Sequence, residues 1–289
     1  MPDLWTHIIG GDMVINDLND RALCNVILEN REHFNMGTQG PDFFFYNDFW
    51  PWLKKKRGPR IGSLIHTEKP GDFVLAIFEV LREKEGAIQY PKALSYFMGF
   101  ITHMIMDDKF HRIINERTYT DQEHKRFELE LDCVLVKNYY NQDCHKINPI
   151  SYIKIGEDMD DLIKDIYYLN ITELYDESIN FEVINKSYQD MLKAQRILYS
   201  PFKVKAALLN LLNNFLSLEL KQYLYANVNS FYVLTQKDVD DIEREFPDFI
   251  TTSIDFMNEV SSYLKGEKSR GELKELIDGY LEQGFLERR

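Results

Sequence analysis

Residues 98–132 read MGFITHMIMDDKFHRIINERTYTDQEHKRFELELD. Within this stretch His103, Asp107 and His111 follow one another at four-residue steps, and His124 and Glu128 repeat the step. On an α-helix four residues advance about 400°, so such side chains drift only about 40° and share one face. Two successive helices would thus present three and two potential metal ligands. The neighbours Phe97, Met98, Phe100, Ile101, Met104 and Ile105 are apolar, so part of the array is expected to be buried. Buried imidazoles and carboxylates need partners, and one divalent metal satisfies several of them at once. The spacing predicts a helical metal site.

Working outward, the pattern stays helical. Apolar residues recur at helical spacing over residues 12–33, 72–85, 91–115 and 121–140, and again near 157–168, 178–199, 202–226, 236–265 and 270–285. Thr120 and Glu123 form a capping-box pattern before the fourth of these, and start signals stand near Pro201 and at Thr235 and Asp238. From Gly37 to Gly71 the periodicity lapses into a Gly-, Pro- and aromatic-rich stretch that reads as a long ordered loop. Residues 141–156 read as a connector. No strand-type alternation of useful length and no internal repeat is present. The fold class expected is all-α: a multi-helix domain with a metal cluster between helices over residues 1–145, and a helical C-terminal half over 146–289 packed on it.

Bulk properties narrow the function classes. A chain of 289 residues with 44% hydrophobic content can bury a sizeable core. The net charge of -13 argues against a strong nucleic-acid or anionic-membrane surface. Three cysteines without a CxxC spacing read as core thiols rather than a disulfide, which suggests a reducing compartment. The N-terminus lacks a basic, apolar leader, and no window reaches the roughly 18 apolar residues of a transmembrane helix. A cytoplasmic location is the expectation.

All seven histidines (His7, His33, His66, His103, His111, His124 and His145) fall in the first 145 residues. An even scatter would give that about one time in a hundred, so the two halves differ in role. His33, at a helix end, and His145, in the connector, read as solvated or capping imidazoles. The remaining order is His7 near the start, Asp42 in the aromatic stretch, His66 after it, then His103, Asp107 and His111, and finally His124 and Glu128. This ordered set resembles the zinc-dependent phospholipase C family, and more distantly the single-strand-specific zinc nucleases. The segments MPDLWTHI and GPDFFFY look like the intracellular, unsecreted branch of that family.

The resemblance implies one zinc held by Asp42, His66, His103 and Asp107, and a second held by His111, His124 and Glu128. It also implies a third in the secreted enzymes, held by a mature N-terminal Trp, by the counterpart of His7 and by the bridging counterpart of Asp107. This sequence departs from that pattern in two ways. Trp5 is internal, so only removal of Met1 would bring an amine, that of Pro2, near His7. The step from Asp107 to His111 is also shorter than in the secreted enzymes. Two zinc ions are expected, with a third open. Asp132 continues the face of His124 and Glu128, where it would either orient a ligating imidazole or join a surface salt bridge. Asp108 points about 100° away from Asp107 and reads as solvated or capping.

Mixed His and carboxylate ligands suit zinc, and closely spaced zinc ions suit hydrolysis of a phosphodiester by an activated water. Asp42 is the candidate for combined ligand and proton acceptor. The substrate expected is a soluble phosphodiester or a phospholipid headgroup. Phe43, Phe44, Phe45, Tyr46, Phe49, Trp50 and Trp52 would cradle an acyl chain or a base, or simply pack the loop down. Lys54, Lys55, Lys56, Arg57 and Arg60 would steer a phosphate or form a solvated tip. The apolar stripe through Ala206, Leu209, Leu212, Leu216 and Leu220 reads as scaffold or a homodimer surface. Two alternatives stay open: a non-catalytic helical metal-binding protein, and a di-iron or di-manganese carboxylate protein. The second class typically uses Glu-x-x-His pairs, which this chain lacks at the array.

Overall fold

The computed structural model describes residues 4–49, 53, 57–199 and 232–281. The expected helix at 202–226, its apolar stripe, Trp50, Trp52, Lys54, Lys55, Lys56 and the Pro2 amine lie outside them. Among the described residues there is no strand. The helices are α1 (Leu4–Asp17), α2 (Arg21–Glu29), α3 (Arg31–Gly37), α4 (Gly58–Thr67), α5 (Pro70–Glu83), α6 (Tyr90–Arg117), α7 (Asp121–Tyr140), α8 (Ile150–Ile153), α9 (Asp161–Tyr175), α10 (Phe181–Leu198), α11 (Gln236–Leu264) and α12 (Arg270–Leu281). Short 3-10 turns occupy Gly40–Tyr46 and Cys144–Lys146.

The axis of the molecule is α6. Every residue from 93 to 107 is buried, as expected of a helix that is apolar all round. α3, α11, α1, α2, α5 and α9 pack around it. The closest crossing is with α3: a Cβ on Gly99 would stand 2.2 Å from the Phe34 carbonyl oxygen, and one on Gly37 would stand 1.8 Å from that of Tyr96. Only glycine lets the two backbones meet there. This contact brings the chain after α3 against the middle of α6, where His103 sits.

Two sequence expectations are corrected. Residues 12–33 do not form one helix, because Asp20 accepts the N–H groups of Ala22 and Leu23 and starts α2 anew. Residues 37–71 are not one long ordered loop. They hold a 3-10 turn bearing Asp42, and α4, which bears His66. Pro41 and Pro59 stand in the first positions of these elements, where a missing N–H costs nothing. The capping box at Thr120 and Glu123 forms as expected: Thr120 Oγ1 accepts from Glu123 N, and Glu123 Oε2 accepts from Thr120 N. A second box forms at Thr235 and Asp238. Among the described residues no helix is long and apolar enough to cross a membrane.

Candidate metal centre

The eight residues singled out in the sequence converge. His7 comes from α1, Asp42 from the 3-10 turn, His66 from the last turn of α4, His103, Asp107 and His111 from α6, and His124 and Glu128 from α7. Three groups of donors result, His7–His103–Asp107, Asp42–His66–His103 and His111–His124–Glu128, each with its ligand atoms within 4.8 Å of one another.

Asp107 is the hub. Its Oδ2 lies 3.5 Å from His66 Nε2, 3.4 Å from His103 Nε2 and 3.7 Å from His111 Nδ1. Its Oδ1 lies 3.3 Å from His7 Nε2. Asp42 Oδ1 is 3.3 Å from His66 Nε2, which is itself 3.3 Å from His103 Nε2. Donors about 2.0–2.1 Å from a tetrahedral zinc stand roughly 3.3–3.4 Å apart, so these separations fit that ion. In the other group, Glu128 Oε1 lies 2.8 Å from His124 Nε2 and 3.5 Å from His111 Nε2.

Hydrogen bonding fixes which nitrogens face inward. His66 Nδ1 stands 2.7 Å from the Gly62 carbonyl and His103 Nδ1 stands 3.2 Å from that of Thr38. A carbonyl only accepts, so both Nδ1 atoms carry the proton and donate, leaving both Nε2 lone pairs directed at each other. A proton or a metal must sit between them. Several buried atoms of the cluster lack a hydrogen-bond partner: Nδ1 and Nε2 of His7, Oδ1 of Asp107 and Nε2 of His111. Orphaned donors aimed at common points are what a metal would satisfy. Gly40 makes the close fit possible. Its φ is +53°, and a Cβ there would stand 2.0 Å from the His103 ring.

The electrostatics agree with a cation site. Burial would push the Asp107 carboxyl up, yet the surrounding imidazoles of His103, His111, His66 and His7 hold it well below the usual carboxylate range. Burial pushes His103 well below its usual range, so it stays neutral with a lone pair to give. Burial also pushes the Asp42 carboxyl up. At His66 burial acts downward, but Asp107 and Asp42 outweigh it and the imidazole is raised. A proton therefore competes with a metal at that nitrogen.

Other sequence readings fare differently. Asp132 is not at the surface: it is fully buried, and its carboxylate accepts from Trp5 N, Thr6 N and Thr6 Oγ1 at 2.9, 2.7 and 2.6 Å. Trp5 is thus tied by its amide N–H to Asp132 and is buried between Tyr140 and Tyr152, which excludes it as the counterpart of a free terminal amine. His33 is not solvated but buried against Asp160 at 2.9 Å. His145 lies on the second 3-10 turn, outside the three groups. Asp108 is half-buried and pairs with Arg112. Phe43 and Phe44 pack edge-on against Tyr167 in the core, so they hold the turn down rather than face a substrate. Arg60 pairs with Glu177.

Sequence reasoning missed Tyr96 and Tyr167. Their hydroxyls share a hydrogen bond of 3.0 Å, and the Tyr167 hydroxyl lies 3.5 Å from the Gly40 carbonyl, behind the turn that carries Asp42. No local signal distinguishes them from ordinary core aromatics.

No curated protein and no solved structure matches the chain. A family model does, over residues 6–196, a span that contains all eight of the converging residues. The chain belongs to the zinc-dependent phospholipase C family.

Proposed function

We propose that this chain hydrolyses phosphodiester bonds with zinc, in the manner of a phospholipase C, using Asp42, His66, His103 and Asp107 for one ion and His111, His124 and Glu128 for another. His7 with Asp107 offers a third position. The observation that carries this reading is the His111–His124–Glu128 group. Two histidines and a glutamate are a three-donor set of the catalytic kind, which leaves a coordination position for water or substrate, whereas structural zinc sites are closed by four protein ligands. Bound zinc supplies a Lewis acid for a phosphoryl oxygen and acidifies a water enough to give hydroxide near neutral pH.

The protein side chains do the remaining work. His111 and His66 are the most exposed members of the cluster, at 21% and 12%, while His7, His103, Asp107 and Glu128 are sealed at 1% or less. Substrate therefore reaches the cluster across the edge between α4 and the C-terminal part of α6. Asp42, on the turn beside His66, is assigned the double role of ligand and proton acceptor. The substrate class is a phosphodiester, free or as a phospholipid headgroup. The division into a metal-binding half (1–145) and a helical half (146–289) belongs to the same proposal. All eight ligands lie in the first half, while α9, α10 and α11 pack on α5, on the 3-10 turn and on α6.

The test is hydrolysis of a chromogenic phosphodiester and of phospholipid vesicles by zinc-reconstituted protein, alongside His124→Ala and Asp42→Asn. Metal-dependent turnover that falls by at least about 100-fold in both variants is expected. Full zinc loading with no turnover of any phosphodiester would support the non-catalytic alternative instead.

A further inference from the structure

His7 is held differently from His66, His103 and His124. His66 and His103 are oriented through Nδ1 by backbone carbonyls, and His124 Nδ1 lies 3.4 Å from Thr118 Oγ1. His7 has no such bond: both of its ring nitrogens are buried without a hydrogen-bond partner. Its ring lies against that of His103, with centroids 4.5 Å apart. With no hydrogen bond at Nδ1 to orient the ring, where His7 meets Asp107 is set by the placing of the α1 backbone.

The two residues before His7 are anchored to the Asp132 carboxylate, which accepts from Trp5 N, Thr6 N and Thr6 Oγ1. These N–H groups belong to the first turn of α1, which has no carbonyl partners of its own and carries the positive end of the helix dipole. A fully buried carboxylate at that point is therefore well matched. Asp132 also sits on α7, eight residues after His124 and four after Glu128. One helix thus carries two ligands of one donor group and the anchor of the histidine that serves another.

We propose that Asp132 is the positioning residue for His7, setting the start of α1 on α7 so that the imidazole meets Asp107. The proposal rests on the zinc reading of the cluster. It makes α7 the common support of the His111–His124–Glu128 and His7–Asp107 positions, with the Asp132 carboxylate engaged at the start of α1.

The test compares wild type with Asp132→Ala, with the milder Thr6→Val, which removes only the hydroxyl bond, and with His7→Ala. Zinc affinities are measured by chelator competition on protein shown to be folded. Asp132→Ala and Thr6→Val should weaken one zinc by about 10–100-fold, the usual size for loss of an orienting partner. His7→Ala should remove the same zinc, and adding Asp132→Ala to it should change no other affinity. Lower thermal stability with every zinc affinity unchanged would overturn the proposal. A second readout is independent of zinc: the His7 ring signal in the NMR spectrum of the metal-free protein, identified by its loss in His7→Ala. It should shift in Asp132→Ala and Thr6→Val while the His66 and His124 signals stay in place. An unmoved His7 signal would overturn the proposal, even in a protein that took up no zinc and so sank the zinc reading separately.

Discussion

Gly40→Ala isolates the fit of the Asp42-bearing turn against α6. Gly40 holds φ +53°, and a Cβ there would stand 2.0, 2.4 and 2.5 Å from Cδ2, Cγ and Nε2 of His103. The left-handed backbone costs an L-residue about 1–2 kcal/mol. Forcing a methyl into a packed core costs about 1–3 kcal/mol more. His103 cannot simply swing aside, because it is fully buried, bonded to the Thr38 carbonyl and packed against the His7 ring. The total, about 2–5 kcal/mol, is a large share of the roughly 5–15 kcal/mol that holds a typical domain. At about 2–4 °C per kcal/mol for a chain of this size class, the melting temperature should fall by roughly 4–20 °C. Zinc content should fall as well, since the methyl displaces a nitrogen shared by two donor groups. The assay is thermal unfolding with and without chelator, plus elemental analysis. Gly86→Ala is the control: nothing lies within 4 Å of its Cβ position, so its effect should stay within about 1 kcal/mol. A Gly40→Ala protein with wild-type melting temperature and full zinc would refute the reasoning.

Further outcomes are expected elsewhere. Glu130 is fully buried and accepts the N–H groups of Tyr232, Val233 and Leu234 as well as the Arg126 side chain, so Glu130→Ala should cost about 3–5 kcal/mol in urea unfolding and make the chain near residue 232 easier to cleave by protease. Burial pushes the Asp160 carboxyl up, but hydrogen bonds from His33 and Lys92 outweigh it and leave it lowered; its contribution is therefore present above about pH 4 and lost as pH falls through the folded-state value. In metal-free protein, the stability gap between wild type and Asp160→Asn should accordingly be open at pH 6 and close toward pH 3, and a gap that widens on acidification would contradict this sign. Removing zinc by chelation should lower the melting temperature, and adding it back should restore it in proportion to free zinc, as linkage requires of a ligand bound only by the folded chain.

The part of the site legible in the sequence is the part encoded locally. The steps from His103 to His111 and from His124 to Glu128 lie within single helices, so helix geometry alone puts each set on one face. His7, Asp42 and His66 come from three separate elements, and their place beside Asp107 depends on the glycine-mediated crossing of α3 and α6, which no spacing encodes. They were reachable only through the family's ordered pattern. The stretch 37–71 misled because its prolines mark element starts as readily as loops, and because a 3-10 turn has no apolar period of its own. Asp132 misled for another reason: its partners are backbone N–H groups 126 and 127 residues away, which leave no trace in residue type.

The most direct measurement is anomalous X-ray scattering at the zinc edge from crystals of the zinc-reconstituted protein. The account predicts one peak among Asp42, His66, His103 and Asp107, and another among His111, His124 and Glu128. Well-ordered side chains at all eight positions with no anomalous peak, in crystals soaked in excess zinc, would contradict it.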